Sequence, residues 1–215
     1  MRGLFITFEG IDGSGKTTQI RLLYDYLVKE GYSVVLTREP GGTRIGDKIR
    51  GLLLDPENRE MTDRTEVLLY AASRAQHVQE VILPAVASGK IVLCDRFVDA
   101  SLAYQGYGHE KTLEDIVGIN EYATGGVKPD RTYMLMLSLE ESGSRLQTRF
   151  AGEEGPDRIE MKPVSYHSRV WHGFNEIANG SPHRIRQVDA GGSREEIQEE
   201  IRKDFMAYIK QTMKG

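Results

Sequence analysis

The stretch EGIDGSGKTTQ, Glu9 to Gln19, stands directly behind the apolar run LFITF, Leu4 to Phe8. Within it, Gly10 to Thr17 satisfies the spacing G-x-x-x-x-G-K-[ST] at every position. Glycines at those places let successive backbone N–H groups converge on an anion. Lys16 can reach the outer phosphates of a nucleotide, and the Thr17 hydroxyl can take a place around Mg²⁺. A helix opening at this point adds its N-terminal partial positive charge. The stretch therefore predicts a strand, a phosphate-holding loop and a helix, with Gly10, Ile11, Asp12, Gly13, Ser14, Gly15, Lys16, Thr17 and Thr18 around a nucleoside triphosphate.

Outward from that loop, short apolar runs alternate with longer segments of helical period. The strand candidates are Leu4–Glu9, Ser33–Thr37, Ile91–Asp95, Arg131–Leu139 and Arg186–Asp189. Most are continuously apolar, as strands covered on both faces of a parallel sheet are. Thr17–Glu30 places Ile20, Leu23, Leu27 and Val28 on one side. Thr65–Ser88 carries Leu68, Ala72, Ala75, Val78, Ile82 and Val86 at steps of three or four. The last helix begins with Ser193 and Glu196 in capping-box positions. This alternation implies a three-layer α/β/α sandwich with right-handed crossovers. We expect one domain over residues 1–215. Phe150–Asp157 (FAGEEGPD), rich in glycine and charge, is the expected flap within a mobile lid at about residues 145–160.

Composition narrows the class. A chain of 215 residues with a formal net charge of −4 lacks the basic surplus of a general nucleic-acid coat. The one cysteine, Cys94, cannot form an internal disulfide, which fits a reducing compartment. We expect no leader before the first strand, no membrane span and a cytoplasmic location. The histidines show no metal-ligand spacing backed by cysteine, and Met134, Met136, Trp171 and Phe174 suit packing.

The fate of the phosphate depends on the residues at the ends of the other strands. Asp95 closes IVLCD, where a carboxylate can hold Mg²⁺ through water or cap the next helix. A transferase acting on a monophosphate must bring two anions into contact and cancel their repulsion. Arginine suits this because its planar fork binds phosphate oxygens in pairs. Arg38 and Arg96 follow apolar strands at the sheet edge where ligands bind. Arg50 and Arg74 lie on intervening helices, and Arg145, Arg149 and Arg158 flank the flap. The guanine-reading N-K-x-D element of a switch GTPase is missing. A lid with arginines fits transfer shielded from water. A P-loop ATPase or GTPase that signals to a partner is the rival from another class.

FEGIDGSGKTTQ, TREPGGT, LLYAASRAQH, CDRFVDASLAYQG and DRIE, in this order, closely resemble the thymidylate kinase family over nearly the whole chain. The resemblance implies a P-loop nucleoside monophosphate kinase fold with a five-stranded parallel sheet in the order 2-3-1-4-5. It implies transfer of the γ-phosphoryl of ATP to dTMP with Mg²⁺, in a homodimer. By position, Asp12 resembles the carboxylate that meets the acceptor's 3′-hydroxyl, and Arg38 and Arg96 the pair that hold its phosphate. Arg50 joins the acceptor side. Tyr70 matches a residue stacking on thymine, Arg74 a base-side arginine, and Ser101 and Gln105 residues that bond the base. Thr17 and Asp95 are the implied metal residues. Gly13, following Asp12, places the chain with members that supply the catalytic arginine from the lid; beside Lys16 and Arg96, Arg149 is the first candidate and Arg158 the second. Ala100, the acidic pair Glu153 and Glu154, and Pro163 in MKPVSYH depart from the family pattern.

Overall fold

A computed structural model describes residues 2–152 and 155–212. In chain order the elements are β1 (Leu4–Glu9), α1 (Lys16–Lys29), β2 (Val34–Arg38), α2 (Arg44–Leu54) and α3 (Asp63–His77). A π-helical turn, Val78–Ile82, leads into α4 (Leu83–Ala87) and β3 (Ile91–Asp95). The short α5 (Val98–Ser101) runs into a second π-helical stretch, Leu102–Gly108, then α6 (Leu113–Thr124) and β4 (Arg131–Met136). The chain continues through α7 (Leu139–Phe150), α8 (Val164–Gly180), β5 (Ile185–Asp189) and α9 (Arg194–Thr212).

The five strands form one sheet in the order β2-β3-β1-β4-β5, and every neighbouring pair is parallel. Register decides where the chemistry gathers. Phe8 and Arg38 both pair with Asp95, so β1, β2 and β3 release their next residues side by side at one edge. The glycine loop after β1, Arg38 and the Asp95-Arg96 turn therefore share the crevice where open α/β sheets bind ligands.

Two apolar clusters back the sheet. Ile6, Phe8, Leu93 and Tyr133 pack with Ile20, Leu23 and Leu27 of α1 and Ile201, Phe205 and Ile209 of α9. Alternation sends Phe5, Val92 and Cys94 to the other face, against Val78, Ile82 and Phe97. Phe5 and Phe97 meet edge to face, with ring centroids 4.9 Å apart. The expected capping box forms: Glu196 N–H donates to Ser193 Oγ at 3.2 Å, and Ser193 N–H to Glu196 Oε2 at 2.9 Å.

Some boundaries differ from the sequence reading. The fourth strand ends at Met136 because Ser138 caps α7, its Oγ accepting from Glu141 N–H. The long helix expected over Thr65–Ser88 begins at Asp63, capped by Thr62, and widens at Val78–Ile82. Pro84 lies just beyond; it has no N–H to donate and its ring crowds the carbonyl four residues back, so the wider turn accommodates it. Within α3 the buried residues include Val67 and Ala71, whereas Leu68 is 59% exposed. Pro163 stands before α8 as its N-cap, outside the helix interior. Glu153 and Glu154 lie outside the described residues.

Candidate active site

The loop between β1 and α1 is shaped by its glycines. Gly10, Gly13 and Gly15 have φ of 135°, 76° and 90°, a region that L side chains rarely adopt. A Cβ at Gly10 would also lie 2.5 Å from Leu135 O, so the loop packs backbone to backbone on β4. Lys16 opens α1 and folds back over the loop, its Nζ donating to Ile11 O at 2.8 Å. Burial, with the Arg96 charge nearby, draws the Lys16 ammonium down to about 8. Thr17 Oγ1 donates to Asp95 Oδ2 at 2.7 Å, which joins the two expected metal residues. Thr18 is exposed on the same first turn.

The turn after β3 holds Arg96 at a φ of 73°, an uncommon conformation for a side-chain-bearing residue. Two hydrogen bonds keep it there. Arg96 N–H donates to Phe8 O at 2.9 Å, and Phe97 N–H donates to Glu9 Oε1 at 2.7 Å. Burial pushes the Glu9 carboxyl up to about 8, with the Asp99 charge adding to the shift. The turn aims the Arg96 guanidinium back across the glycine loop. It donates to Gly10 O at 3.1 Å, to Tyr104 Oη at 3.1 Å and to Asp12 Oδ1. Tyr104 Oη in turn donates to Asp12 Oδ2 at 2.7 Å. Burial opposes ionisation of Asp12, but the Arg96 and Lys16 charges win and hold its carboxyl well below the usual range.

A pocket opens beside this cluster. Of the acceptor-side residues named from the sequence, Asp12, Arg50, Tyr70, Arg74, Arg96, Ser101 and Gln105 line it, and Ala100 contributes to its wall. Arg38 is absent from the lining; its side chain is more than half exposed and lies 3.2 Å from Asp47. Arg50 donates to Pro40 O at 3.2 Å. Arg74 is buried, and most of its donors are engaged by protein. Nε bonds Glu39 Oε2 at 2.7 Å, Nη1 bonds Ser101 Oγ at 2.9 Å and Asn120 Oδ1, and Nη2 bonds Phe97 O at 3.1 Å.

The lid-side arginines are spread apart. Arg149 pairs with Glu160, while Arg158 is buried, its Nε on Leu53 O at 2.7 Å and its Nη2 2.8 Å from Glu66. Arg145 lies against the glycine loop, donating to Gly13 O at 3.4 Å and Ala190 O at 2.9 Å. Neither Arg149 nor Arg158 is bonded to the loop in this conformation.

Several residues of the site carried no assignment from the sequence. Glu39 is buried and accepts from both Arg74 and His77. Asn120, from α6, completes the Arg74 network. Tyr104 and Asp157 line the pocket. Glu39, Tyr104 and Asp157 stand inside TREPGG, AYQG and the flap, so their neighbours were the available signal. Glu66 and Asn120 stand alone in ordinary helical sequence.

A parallel sheet, a phosphate loop at its carboxyl edge and a facing pocket ringed by arginines define a P-loop phosphotransferase. The sequence profile of the family described as Thymidylate kinase matches residues 8–201. A thymidylate kinase of Exiguobacterium sibiricum is 55% identical over 210 residues, covering 98% of this chain and 97% of its own. One from Halothermothrix orenii is 50% identical over 201 residues, covering 94% and 95% respectively. The crystal structure of thymidylate kinase from Ehrlichia chaffeensis superposes with a TM-score of 0.76 at 34% identity, covering 95% of this chain and 99% of that one. This chain belongs to the thymidylate kinase family.

Proposed function

We propose that the two halves of this crevice hold ATP and dTMP end to end, so that the family's reaction, phosphorylation of dTMP by ATP, takes place between Lys16 and Arg96. The observation that carries this reading is the Arg96–Asp12 junction, which joins the phosphate loop to the pocket. The loop amides, Lys16 and the start of α1 receive the donor's phosphates. The acceptor's monophosphate meets Arg96 and Arg50, and Arg38 turns inward from the rim. Tyr70, Ser101 and Gln105 take the base. Asp12, kept ionised by Arg96, accepts the 3′-hydroxyl. The acceptor phosphate is already ionised, so no general base is required, and the protein's work is positioning and charge compensation.

Thr17 and Asp95 fit a magnesium ion. They set two hard oxygens side by side, and an ion that takes most of its ligands from phosphate and water needs no larger protein set. Among the described residues there is no cluster of three or more His, Cys, Asp or Glu suited to a metal cage. When bound, Mg²⁺ would offset charge on the donor's phosphate oxygens. A lid over residues 145–160 closes above the donor, and Arg149, or failing that Arg158, supplies a cation to the transferred group. ADP release against dTMP, dUMP, CMP and thymidine, with and without Mg²⁺, tests the assignment; it requires turnover with dTMP and Mg²⁺ and none with thymidine.

The chain works as a homodimer in the cytoplasm. An apolar groove between α3 and α6, lined by Leu68, Ala72, Ala75, Ile119 and Tyr122, supports the dimer. Tyr122 is 93% exposed, and a patch of this kind marks an interaction surface. Sedimentation at micromolar concentration is expected to give twice the chain mass; a stable monomer removes this part of the reading. The lone buried Cys94 agrees with a reducing compartment, and no described helix is long and apolar enough to cross a membrane.

A further inference from the structure

Glu66 lies on α3, one helical turn before Tyr70, and is 1% exposed. A carboxylate so deeply buried has to be matched by donors. Its Oε1 accepts from His109 Nε2 at 2.8 Å and from Gln105 Nε2 at 3.1 Å. Its Oε2 lies 2.8 Å from Arg158 Nη2 and 3.4 Å from Lys162 Nζ. Burial raises the cost of charge on Glu66, but His109, Lys162 and Gln105 outweigh it and hold the carboxyl at about 2. Glu66 is therefore ionised across the working range and can only accept hydrogen bonds.

An amide beside an acceptor-only group has one stable orientation. Its NH₂ must face the carboxylate, because turning it would set two oxygens against each other. Gln105 obeys this, with Nε2 on Glu66. The hydrogen bond of the Gln105 side chain to the described residues runs through Nε2, which leaves Oε1, at the other end of the planar group, as its acceptor, and the side chain lines the pocket. What Gln105 offers a ligand is thus an acceptor. The N3–H of thymine or uracil matches an acceptor; the bare N3 of cytosine opposes it.

We propose that Glu66 is a specificity-determining positioning residue: by locking the Gln105 amide with its oxygen toward the pocket, it selects pyrimidines that carry an imide N–H over cytosine. The inference rests on the reading that Gln105 meets the acceptor base. The His109 hydrogen bond keeps the carboxylate charged, with Lys162 adding to it from 3.4 Å, and the charge keeps the amide from turning.

The experiment compares kcat/KM for dTMP and dCMP in Glu66→Gln and the parent enzyme. The dTMP-to-dCMP ratio is expected to fall about ten- to a hundredfold, mainly through a higher KM for dTMP, with the KM for ATP unchanged. Lys162→Met removes a charged neighbour of Glu66 and leaves the amide contact intact. It is expected to lower the melting temperature and keep the ratio. The double variant Glu66→Gln with Gln105→Glu exchanges donor and acceptor at constant charge, and it is expected to restore preference for dTMP. An unchanged ratio in Glu66→Gln overturns the proposal, as does a Lys162→Met variant that shifts the ratio equally. Where Glu66→Gln fails to fold, the double variant decides: loss of discrimination overturns the proposal. Gln105→Met separates this inference from the reading beneath it. An unchanged ratio there removes base reading by Gln105 altogether; a changed ratio there with none in Glu66→Gln removes the role of Glu66 alone.

Discussion

Arg96→Ala is expected to lower kcat for dTMP about a thousandfold while leaving ATP affinity within about threefold of the parent value. The guanidinium is the cation that spans the two halves of the crevice, touching Gly10 O, Asp12 and Tyr104. Without it, two phosphate groups approach each other with their repulsion uncompensated, and Asp12 adds a third negative charge. ATP binding survives because the loop amides and Lys16 are untouched. Arg96→Lys is expected to recover little, since a point charge cannot replace a two-pronged donor. The backbone at residue 96 has a φ of 73°, and Phe8 O and the Glu9 carboxyl fix it through main-chain groups, so the turn is expected to persist. Coupled ADP release and calorimetric ATP titration read both quantities; normal turnover would remove Arg96 from the mechanism.

Lys16→Met carries the second large effect, a loss of about 10²–10³-fold in kcat. Methionine keeps the length of the side chain and removes three donors. Lys16 is buried, and its ammonium is drawn down to about 8. An anion placed against it raises that value again, so phosphate and the charged lysine stabilise each other. The ammonium donates to Ile11 O, and methionine leaves that one carbonyl without its partner. Stability should hold or rise, because removing a charge that burial disfavours outweighs the one lost hydrogen bond, so the loss of catalysis is not a loss of fold. Steady-state kinetics beside urea denaturation separates the two; a variant with parental kcat would place Lys16 outside the transfer step.

Much of the fold was legible because it rests on local signals. The glycine loop needs particular backbone angles at particular residues, and a parallel sheet needs unbroken apolar runs, so both are written at single positions. The β1 and β3 boundaries, Leu4–Glu9 and Ile91–Asp95, match the sequence reading residue for residue. The α3 stripe was harder. Leu68, Ala72 and Ala75 have the period of a core face yet line a surface groove, because the buried side of α3 carries Glu66, Ser73, Arg74 and His77 beside Val67 and Ala71, and periodicity cannot find a buried face that is largely polar. Buried polar and charged residues were harder still. Arg74, Glu39 and Asn120 come from three separate segments, and their meeting exists only after folding. Glu66 is one acid among many in the sequence. Gln105 and His109 bond it, and the cations Arg158 and Lys162, both beyond the flap, stand beside it, a grouping that no local pattern records.

The central claim is that this crevice carries phosphate to a second phosphate, and the acceptor comparison tests it most directly. With ATP and Mg²⁺ at saturation, ADP release is measured with dTMP, with thymidine and with no acceptor. The account predicts rapid release with dTMP, and thymidine indistinguishable from the blank, because Arg96 and Arg50 need an anion to hold. Equal ADP release in all three would contradict it and leave a nucleotide hydrolase on the same fold.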